Sequence, residues 1–391
     1  MRPLRLGILA GEESGDQLGA DLVRALRAMS GRDVELIGVG GPHLQALGLK
    51  TLFDPGEIAI MGISAVLRDL PRLLGRIATT AQAVAAADPD CLVTIDSPEF
   101  SLRVAKKVRA ANANIPIVKY VCPSVWAWRP GRAPAMKPFV DHILCLLPFE
   151  PAALARLGGP PGTFVGHRMT HDAGLLEAAR VQAAHLPGGG EKTLLVLPGS
   201  RRAEVKALLG PFGEAVSILK ARGHRMKLLL PTVSHVAELV RSTVAGWEQA
   251  PEIIVEPAGK WRAFATADAA LIASGTVSLE LALVGVPMVS CYKVDPLARL
   301  AQGLITTWSA LLPNLVSDRA LVPEFYNQYV RPENLARQVE ALWSEGPLRA
   351  WQKDGFAEVA RRMATDRPSG EIAAEIVLRE IGKSAVGSRQ S

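Results

Sequence analysis

Short apolar runs alternate with amphipathic segments along the first part of the chain. The runs are rich in Val, Ile and Leu, whereas the segments between them repeat apolar residues at helical spacing. This pattern predicts strands at 5–10, 34–39, 91–95, 117–121 and 142–146, with helices at 18–29, 43–47 and 102–111. Strands that alternate with helices in this way form a parallel sheet covered by helices on both faces.

The same alternation restarts after a turn-rich stretch at 185–191. It predicts strands at 193–197, 227–230, 253–255, 269–272 and 287–291, and a long helix at 204–222. A last helical pattern at 370–381 is followed by a polar tail, 382–391, which we expect to be loose. The predicted fold class is therefore α/β, with two doubly wound Rossmann-like domains, 1–170 and 171–350, that face a cleft.

Composition narrows the class of protein. Of 391 residues, 49% are hydrophobic and 21% are charged, which excludes disorder over most of the length. Lys and Arg number 44 against 38 Asp and Glu, and the formal charge of +6 favours an anionic partner such as a nucleotide or an acidic membrane surface. Nucleic acid is not expected as a partner, because aromatic residues for base stacking make up only 5%.

The cysteines and the most apolar window exclude further classes. No two of the four cysteines have the spacing of a metal-binding or redox motif, which predicts reduced, buried thiols in a reducing compartment and no metal site. The window 269–289 is the most membrane-like, but Glu280 and several hydroxyl residues interrupt it. No transmembrane helix is therefore expected.

Carboxylates follow two of the strands predicted in the first half. Glu12, Glu13 and Asp16 would repel a phosphate, so a substrate hydroxyl suits their loop better. Asp96 ends another strand, where a carboxylate can take a proton from an attacking hydroxyl. In both places the alternative is a helix cap whose acid complements the helix dipole.

Two other loops of the first half bear on the ligand. The loop 121–132 holds Trp126, Trp128 and two arginines. Such residues are expected either in a substrate-facing wall, whose apolar rings contact a sugar or acyl chain and whose arginines contact a phosphate, or in local packing. The stretch 38–43 resembles a dinucleotide fingerprint, but His43 stands at its third glycine position, which argues against NAD and FAD. No cofactor is expected.

Anion-binding features follow two strands of the second half. Ser200 and Arg201 lie where a strand leads into a helix, and with the free N–H groups there they could hold a diphosphate. Residues 274–276 open another helix and form a second candidate anion-binding site, and we call the two sites the anion seats. Glu280 in the second of these helices could reach ribose hydroxyls. The P-loop motif does not occur. Carboxylates in one half and anion seats in the other indicate a two-domain nucleotide-sugar glycosyltransferase.

Seven short blocks of the sequence occur in a familiar order. They are 11–16, 96–100, 123–128, 164–167, 197–201, 274–280 and 312–315. Together they resemble the lipid-A-disaccharide synthases, bacterial GT-B glycosyltransferases (family 19), over roughly residues 5–380. The resemblance implies that 1–170 is the acceptor and lipid side and 171–350 the UDP-sugar side, with a C-terminal helix at about 355–382 packing back on the first domain.

The resemblance also implies a reaction. A UDP-2,3-diacylglucosamine donor would transfer its sugar to the 6-hydroxyl of 2,3-diacylglucosamine 1-phosphate, giving UDP and a β-1,6-linked disaccharide 1-phosphate in lipid A biosynthesis. An α-linked donor and a β-linked product imply inversion, and hence in-line attack assisted by one base. Asp96 matches the family's candidate base, and Glu12 stays open as the alternative.

Further site residues are assigned by the same resemblance. On the acceptor side they are Ser14, Asp16, Trp126 and Trp128. On the UDP side they are Ser200, Arg201, Ser274, Gly275, Thr276, Glu280, Asn314 and Glu324. The family often has Gln three positions after that Glu, whereas this chain has Asn327 followed by Gln328, so neither is assigned. No metal ligand is assigned.

The acylated substrates imply a cytoplasmic protein bound peripherally to the anionic surface of the inner membrane. One candidate contact is 58–77, with Arg68, Arg72 and Arg76 at helical spacing. The other is 300–312, with an apolar face formed by Leu304, Ile305, Trp308, Leu311 and Leu312. Ordinary core helices are the alternative for both segments, and a homodimer stays open.

Two other functions remain alternatives. One is another UDP-sugar enzyme of this architecture, such as a UDP-sugar 2-epimerase or a lipid-linked N-acetylglucosaminyl transferase. A requirement for the diacylated acceptor would distinguish the transferase predicted above from these enzymes. The other alternative is a non-catalytic protein that closes on its ligand, which binding of a UDP-sugar without turnover would favour.

Overall fold

The chain folds into two compact α/β units. A computed structural model describes residues 2–58, 70–185, 190–293 and 303–387. The first unit comprises Met1–Arg168 together with Thr365–Ser391, and the second comprises Met169–Ala364. Each unit is built on its own parallel sheet, so the predicted class of two doubly wound α/β domains is confirmed.

The first unit contains a seven-stranded parallel sheet in the order β3-β2-β1-β4-β5-β6-β7, counted over the described residues. The strands are β1 (Leu4–Ala10), β2 (Val34–Val39), β3 (Lys50–Thr51), β4 (Cys91–Ile95), β5 (Ile117–Tyr120), β6 (His142–Cys145) and β7 (Gly162–Phe164). The strand order reverses between β1 and β4, which lie side by side with Ala10 opposite Ile95. Ligands of such sheets bind at the carboxyl edge of this switch point.

Helices cover both faces of this sheet. They are α1 (Glu13–Ser30), α2 (Pro42–Gln45), α3 (Leu70–Ala87), α4 (Pro98–Ala111), α5 (Arg132–Met136), α6 (Glu150–Arg156) and, from the C-terminus, α15 (Ser369–Gly387). The apolar side of α1, with Leu18, Leu22 and Leu26, packs into one core with strand residues and with Ala373 and Val377 of α15. Burial of these apolar side chains fixes α1, and with it the loop that follows β1.

The expectation of a loose tail at 382–391 is wrong over its first part, because α15 continues to Gly387. Lys383 pairs with Glu380 one turn earlier at 2.8 Å, and the Ser384 hydroxyl donates to the carbonyl of Asn114 at 2.7 Å. These contacts extend the helix beyond its apolar pattern. Residues 388–391 lie outside the described part of the chain.

The second unit contains a six-stranded parallel sheet in the order β10-β9-β8-β11-β12-β13 among its described residues. The strands are β8 (Lys192–Leu197), β9 (Met226–Pro231), β10 (Glu252–Ile254), β11 (Ala269–Ala273), β12 (Met288–Tyr292) and β13 (Glu324–Tyr326). The order reverses between β8 and β11, so this sheet has its own switch point there. The sequence pattern missed β13, a three-residue strand that begins with a glutamate.

The helices of the second unit carry most of its apolar core. They are α7 (Ala173–Ala183), α8 (Arg202–Ala221), α9 (Ser234–Val244), α10 (Pro257–Ala265), α11 (Val277–Val284), α12 (Leu312–Ser317), α13 (Pro332–Trp343) and α14 (Pro347–Met363).

The four cysteines of the chain are buried free thiols, as predicted. No helix in the described ranges is both long enough and apolar enough to cross a bilayer.

Candidate functional site

Asp96 lies at the switch point of the first sheet, directly after β4. Asp96 and Ser97 both have left-handed backbone angles, with φ of +48° and +40°. Such angles cost roughly 1–3 kcal/mol for residues other than glycine and cluster at functional sites. The Asp96 carboxylate lies against the first turn of α1, where a methyl group added at Gly15 would come within 3.0 Å of its Oδ2 atom. Gly15 therefore provides the space that the carboxylate occupies.

Lys119 of β5 is completely buried beneath Asp96. Its Nζ donates to the backbone carbonyl of Asp96 at 2.6 Å, and the Ser101 hydroxyl donates to the same carbonyl at 2.8 Å. Burial lowers the pKa of Lys119 to about 8. Burial also raises the pKa of the Asp96 carboxyl, while the charge of Lys119 acts in the opposite direction. A carboxyl whose pKa is raised by burial is better matched to proton transfer near neutral pH.

Lys119 was not among the site residues predicted from the sequence. Its signal was a single lysine inside an otherwise apolar predicted strand, 117–121. A lysine on a strand is usually solvated, and nothing local in the sequence shows that its amine points to the carbonyl of a residue 23 positions earlier. Only the pairing of β4 with β5 brings the two together.

A cavity of about 630 Å³ opens beside Asp96 and is lined partly by the loop 121–132, which contains Trp126 and Trp128. Trp128 contributes to its wall and is 39% exposed. Val121, at the start of this loop, has a φ of +70°, which is a strained angle for a β-branched residue. Trp126 has a different environment, because its Nε1 donates to the buried Glu150 carboxylate at 3.2 Å and its ring packs edge-on against Phe149. Trp128 thus faces the cavity, whereas the described contacts of Trp126 hold the loop in place.

The loop after β1 borders a second cavity of about 530 Å³ in the same unit. Glu12 and Glu13 line this cavity and are exposed, as is Ser14 in the first turn of α1. This loop follows β1, so it lies at the same edge of the sheet as Asp96. The structure therefore brings the acidic loop and Asp96 together at one switch point.

Asp16 is only 1% exposed and anchors the turn after β2. Its carboxylate accepts from the backbone N–H groups of Gly41 at 2.8 Å, His43 at 2.7 Å and Leu44 at 3.2 Å. These donors open α2, and a dinucleotide phosphate would need N–H groups at this turn. Asp16 therefore occupies the N–H groups that open α2.

The anion seats of the second unit follow the two strands at its switch point. Ser200 and Arg201 follow β8, whereas 274–276 follow the neighbouring β11, and most of these residues are exposed. The Arg201 side chain pairs with Glu204 in the first turn of α8 at 3.1 Å. The seats predicted from sequence therefore share one edge of one sheet, where α8 and α11 both begin.

The carboxylate of Glu280 is held by a lysine that sequence analysis did not select. Lys260 Nζ lies 2.9 and 3.0 Å from the two Glu280 carboxylate oxygens, and 4.1 Å from the centre of the Trp261 ring. Glu280 lies in the first turn of α11, as expected, with 18% of its side chain exposed. The ion pair fixes the direction of its carboxylate.

Asn314 and Glu324 form a buried hydrogen-bond network. Asn314 is fully buried, its Oδ1 accepts from the N–H groups of Leu321 and Val322 at 3.0 and 2.9 Å, and its Nδ2 donates to Glu324 at 3.2 Å. Glu324 also accepts from the Ser309 hydroxyl, the Ala310 N–H and the Tyr326 hydroxyl. The described contacts of this pair stabilise the chain between 309 and 326. The network reaches the anion seats indirectly, because the Ser274 hydroxyl donates to the carbonyl of Ala310 at 3.3 Å.

The two candidate membrane segments are described only in part. Residues 59–69, which include Arg68, and 294–302 lie outside the described residues. Arg72 and Arg76 both pair with Glu57, at 2.8 and 2.9 Å, and hydrogen bonds from Arg76 lower the pKa of that glutamate. In the other segment Leu304, Ile305 and Trp308 are 55–60% exposed. The expectation for Leu311 is wrong, because this residue is fully buried at the start of α12.

Comparison with known proteins identifies the family. A family model described as Lipid-A-disaccharide synthetase matches residues 6–376. The lipid-A-disaccharide synthase of Nitrobacter hamburgensis is 47% identical over 378 residues, covering 96% of this chain and 95% of the relative. That of Rhodospirillum centenum is 43% identical over 395 residues, covering 100% and 98%.

Similarity to solved structures supports the fold. MurG of Acinetobacter baumannii has a TM-score of 0.60 at 13% identity, covering 96% of this chain and 100% of that one. The UDP-GlcNAc 2-epimerase of Neisseria meningitidis, solved with UDP-GlcNAc, has a TM-score of 0.58 at 12% identity, covering 98% and 100%. At this identity the similarity concerns the fold alone, which is GT-B. The family model and the sequence relatives show that this chain belongs to the lipid-A-disaccharide synthase family.

Proposed function

We propose that this chain transfers 2,3-diacylglucosamine from UDP to the 6-hydroxyl of 2,3-diacylglucosamine 1-phosphate, forming a β-1,6-linked disaccharide 1-phosphate. The match to the family across residues 6–376 carries the proposal. The geometry supports it, because a candidate base lies at the switch point of one unit and two anion seats lie at the switch point of the other. Nearby carboxylates suit an acceptor hydroxyl, and helix N-termini suit a diphosphate.

The second unit would hold the UDP moiety. The N–H groups at the starts of α8 and α11, with Ser200, Arg201 and the 274–276 loop, suit the diphosphate. The Glu280 carboxylate, oriented by Lys260, suits the ribose hydroxyls. These groups would also stabilise the charge that develops on the diphosphate as it leaves. Asn314 and Glu324 would support this site by fixing the chain between 309 and 326.

The first unit would activate the acceptor. Asp96 takes the proton of the 6-hydroxyl while the oxygen forms a bond to the anomeric carbon of the donor. The bond from that carbon to the diphosphate breaks, and its electron pair leaves with UDP. Attack from the face opposite UDP inverts the α link to a β link. We favour Asp96 over Glu12 as the base, because burial raises the pKa of Asp96 whereas Glu12 is exposed.

Both proposed substrates carry acyl chains, so we propose peripheral binding to the cytoplasmic face of the inner membrane. Leu304, Ile305 and Trp308 support this proposal, because they expose a cluster of large apolar side chains on the second unit. Apolar and aromatic residues of this kind insert into the headgroup region of a bilayer. The acyl chains of the bound substrates would then stay in the lipid phase.

The space at Gly15 gives a prediction about Asp96. In Gly15→Ala the added methyl group would lie 3.0 Å from Asp96 Oδ2 and 3.3 Å from Ile95 Cγ2, so the carboxylate must shift. We expect kcat to fall by roughly tenfold to a hundredfold, with UDP affinity unchanged. Gly210→Ala is the matched control, because a methyl group there meets no described atom within 4 Å. Equal rates for the two variants would contradict the positioning of Asp96 proposed here.

Lys119 gives a prediction about pH dependence. Asp96 acts as a base in its ionised form, so activity rises as pH rises through its pKa. The charge of Lys119 lowers that pKa, and Lys119→Met removes the charge, so the acid limb of the kcat/KM profile should move to higher pH. Lys107→Met, on the exposed surface of α4, should leave the profile in place. An unmoved limb in Lys119→Met would show that the limb does not report Asp96.

Product analysis tests the proposed function. The chain is incubated in detergent micelles with UDP-2,3-diacylglucosamine and 2,3-diacylglucosamine 1-phosphate, and the lipid product is examined by mass spectrometry and by proton NMR. We expect one disaccharide 1-phosphate with the large anomeric coupling of a β linkage. Formation of an epimerised UDP-sugar, or of an α-linked product, would contradict the proposal.

A further inference from the structure

Three arginines converge on one glutamate among the residues that line the cavity beside Asp96. Arg129 Nη1 lies 3.1 Å from Glu99 Oε1, and Arg132 Nη2 contacts the same oxygen. Arg103 Nη2 lies 3.8 Å from the other carboxylate oxygen. Glu99 is about half exposed, and so is Arg129, whereas Arg132 is only 17% exposed. A single exposed carboxylate therefore occupies a position to which three guanidinium groups point.

The cavity carries more positive than negative charge. Its described charged residues are Arg103, Lys119, Arg129 and Arg132 against Asp96 and Glu99. This is an excess of two positive charges in a cavity of about 630 Å³ that also contains the candidate base. The two carboxylates together leave that excess uncompensated, so the cavity favours a ligand with two negative charges.

Arg129 is held in place before any ligand binds. Its guanidinium carbon lies 4.2 Å from the centre of the Trp128 ring, and its backbone has a left-handed φ of +52°. Arg132 Cζ lies 6.0 Å from the same ring. Stacking on an aromatic ring fixes the plane of a guanidinium while its N–H groups stay available for a bidentate contact with an oxyanion. Because these side chains are already held in place, less conformational entropy is lost when an anion binds.

We propose that Arg129, Arg132 and Arg103 form a phosphomonoester subsite that binds the 1-phosphate of the acceptor and displaces Glu99. The inference rests on the proposed function and assigns one part of its acceptor to one part of the first unit. A phosphomonoester carries a charge of about −1.5 to −2 at neutral pH, so it outcompetes the single charge of Glu99 for the arginines. The donor diphosphate is not assigned to this cavity, because the anion seats proposed for it lie in the second unit and the base acts on the acceptor hydroxyl.

The subsite would make the enzyme selective for a phosphorylated acceptor. A monosaccharide with a free 1-hydroxyl would leave the arginines paired with Glu99 and gain nothing from them. Glu99 would then act as an internal competitor whose removal favours the phosphate. The proposal therefore predicts opposite effects for substitutions on the two sides of the same ion pair, which loss of structure cannot produce.

The test measures KM for 2,3-diacylglucosamine 1-phosphate and for its analogue with a free 1-hydroxyl. In Arg129→Ala we expect KM for the phosphorylated acceptor to rise tenfold or more, with little change for the analogue. In Glu99→Gln we expect KM for the phosphorylated acceptor to fall severalfold. Arg5→Ala, an exposed arginine paired with Glu35 in β2, is the matched control and should change neither value.

Three results would overturn the proposal. They are an equal rise of both KM values in Arg129→Ala, a higher KM for the phosphorylated acceptor in Glu99→Gln, and no preference of the wild type for the phosphate. A parallel titration with glucosamine 1-phosphate, in which calorimetry measures binding, does not depend on turnover. Binding by the wild type that weakens in Arg129→Ala and strengthens in Glu99→Gln supports the subsite even if the chain forms no disaccharide, so failure of the proposed function remains distinguishable.

Discussion

Asp96→Asn is expected to lower kcat by roughly a hundredfold to ten-thousandfold, the usual contribution of a general base. The amide keeps the size and shape of the side chain, and asparagine tolerates the left-handed backbone at φ +48°. The substitution therefore removes the proton acceptor without disturbing the turn after β4. UDP affinity should stay unchanged, because the anion seats that we propose for UDP belong to the second unit.

Asp88→Asn is the matched control for this substitution. Asp88 also has a left-handed φ, +46°, but it precedes β4, whereas Asp96 follows it. It therefore lies at the amino edge of the sheet, away from the switch point. We expect Asp88→Asn to change kcat by less than about twofold, since surface changes away from a site have small effects. Near-normal turnover of Asp96→Asn would refute its role as the base and direct attention to Glu12.

Asn314→Ala should have the largest effect on stability. The substitution leaves the buried N–H groups of Leu321 and Val322 without the acceptor that Asn314 provides, and it removes a donor to Glu324. Each buried polar group left unpaired costs about 1–3 kcal/mol, so we expect the free energy of unfolding to fall by about 3 kcal/mol or more. Urea denaturation followed by circular dichroism measures this change.

Asn334→Ala provides the control within the same unit. Asn334 lies partly buried in the first turn of α13, and its replacement should change the free energy of unfolding by less than about 0.5 kcal/mol. The opposite pattern for Asn314→Ala, a stable protein with strongly weakened UDP binding, would show that Asn314 contacts the nucleotide directly. That is the role that the family resemblance assigned to it, and it would contradict the structural role inferred from its contacts.

Most strands of both sheets were predictable, because each of these is a short apolar run bounded by turn residues. Once the strands were known, the rule that ligands bind at the carboxyl ends of parallel strands directed attention to Asp96, Ser200 and Gly275. The strand order, which makes these ends switch points, came only from the structure. The short strands β7 and β13 were not predictable, because each begins with a glycine or a glutamate and forms no apolar run. Their pairing depends on the longer neighbours β6 and β12.

The partners of the candidate site residues could not be predicted. Glu99 and Arg129 are 30 positions apart, and Lys260 and Glu280 are 20 apart, so no local pattern links either pair. Asn314 was selected as a UDP residue because of a motif, yet full burial and four hydrogen bonds give it a structural environment. The contacts of the candidate residues, unlike the positions of most strands, therefore required the structure.

The most direct test of the proposed transfer is the rate of UDP release from UDP-2,3-diacylglucosamine in detergent micelles, with and without 2,3-diacylglucosamine 1-phosphate. UDP-sugar epimerases share this fold, so binding of the donor alone does not distinguish a transferase. We predict release that requires the acceptor, saturates with its concentration and is lost in Asp96→Asn. Release at the same rate without the acceptor, or no release despite tight UDP binding, would contradict the assigned reaction.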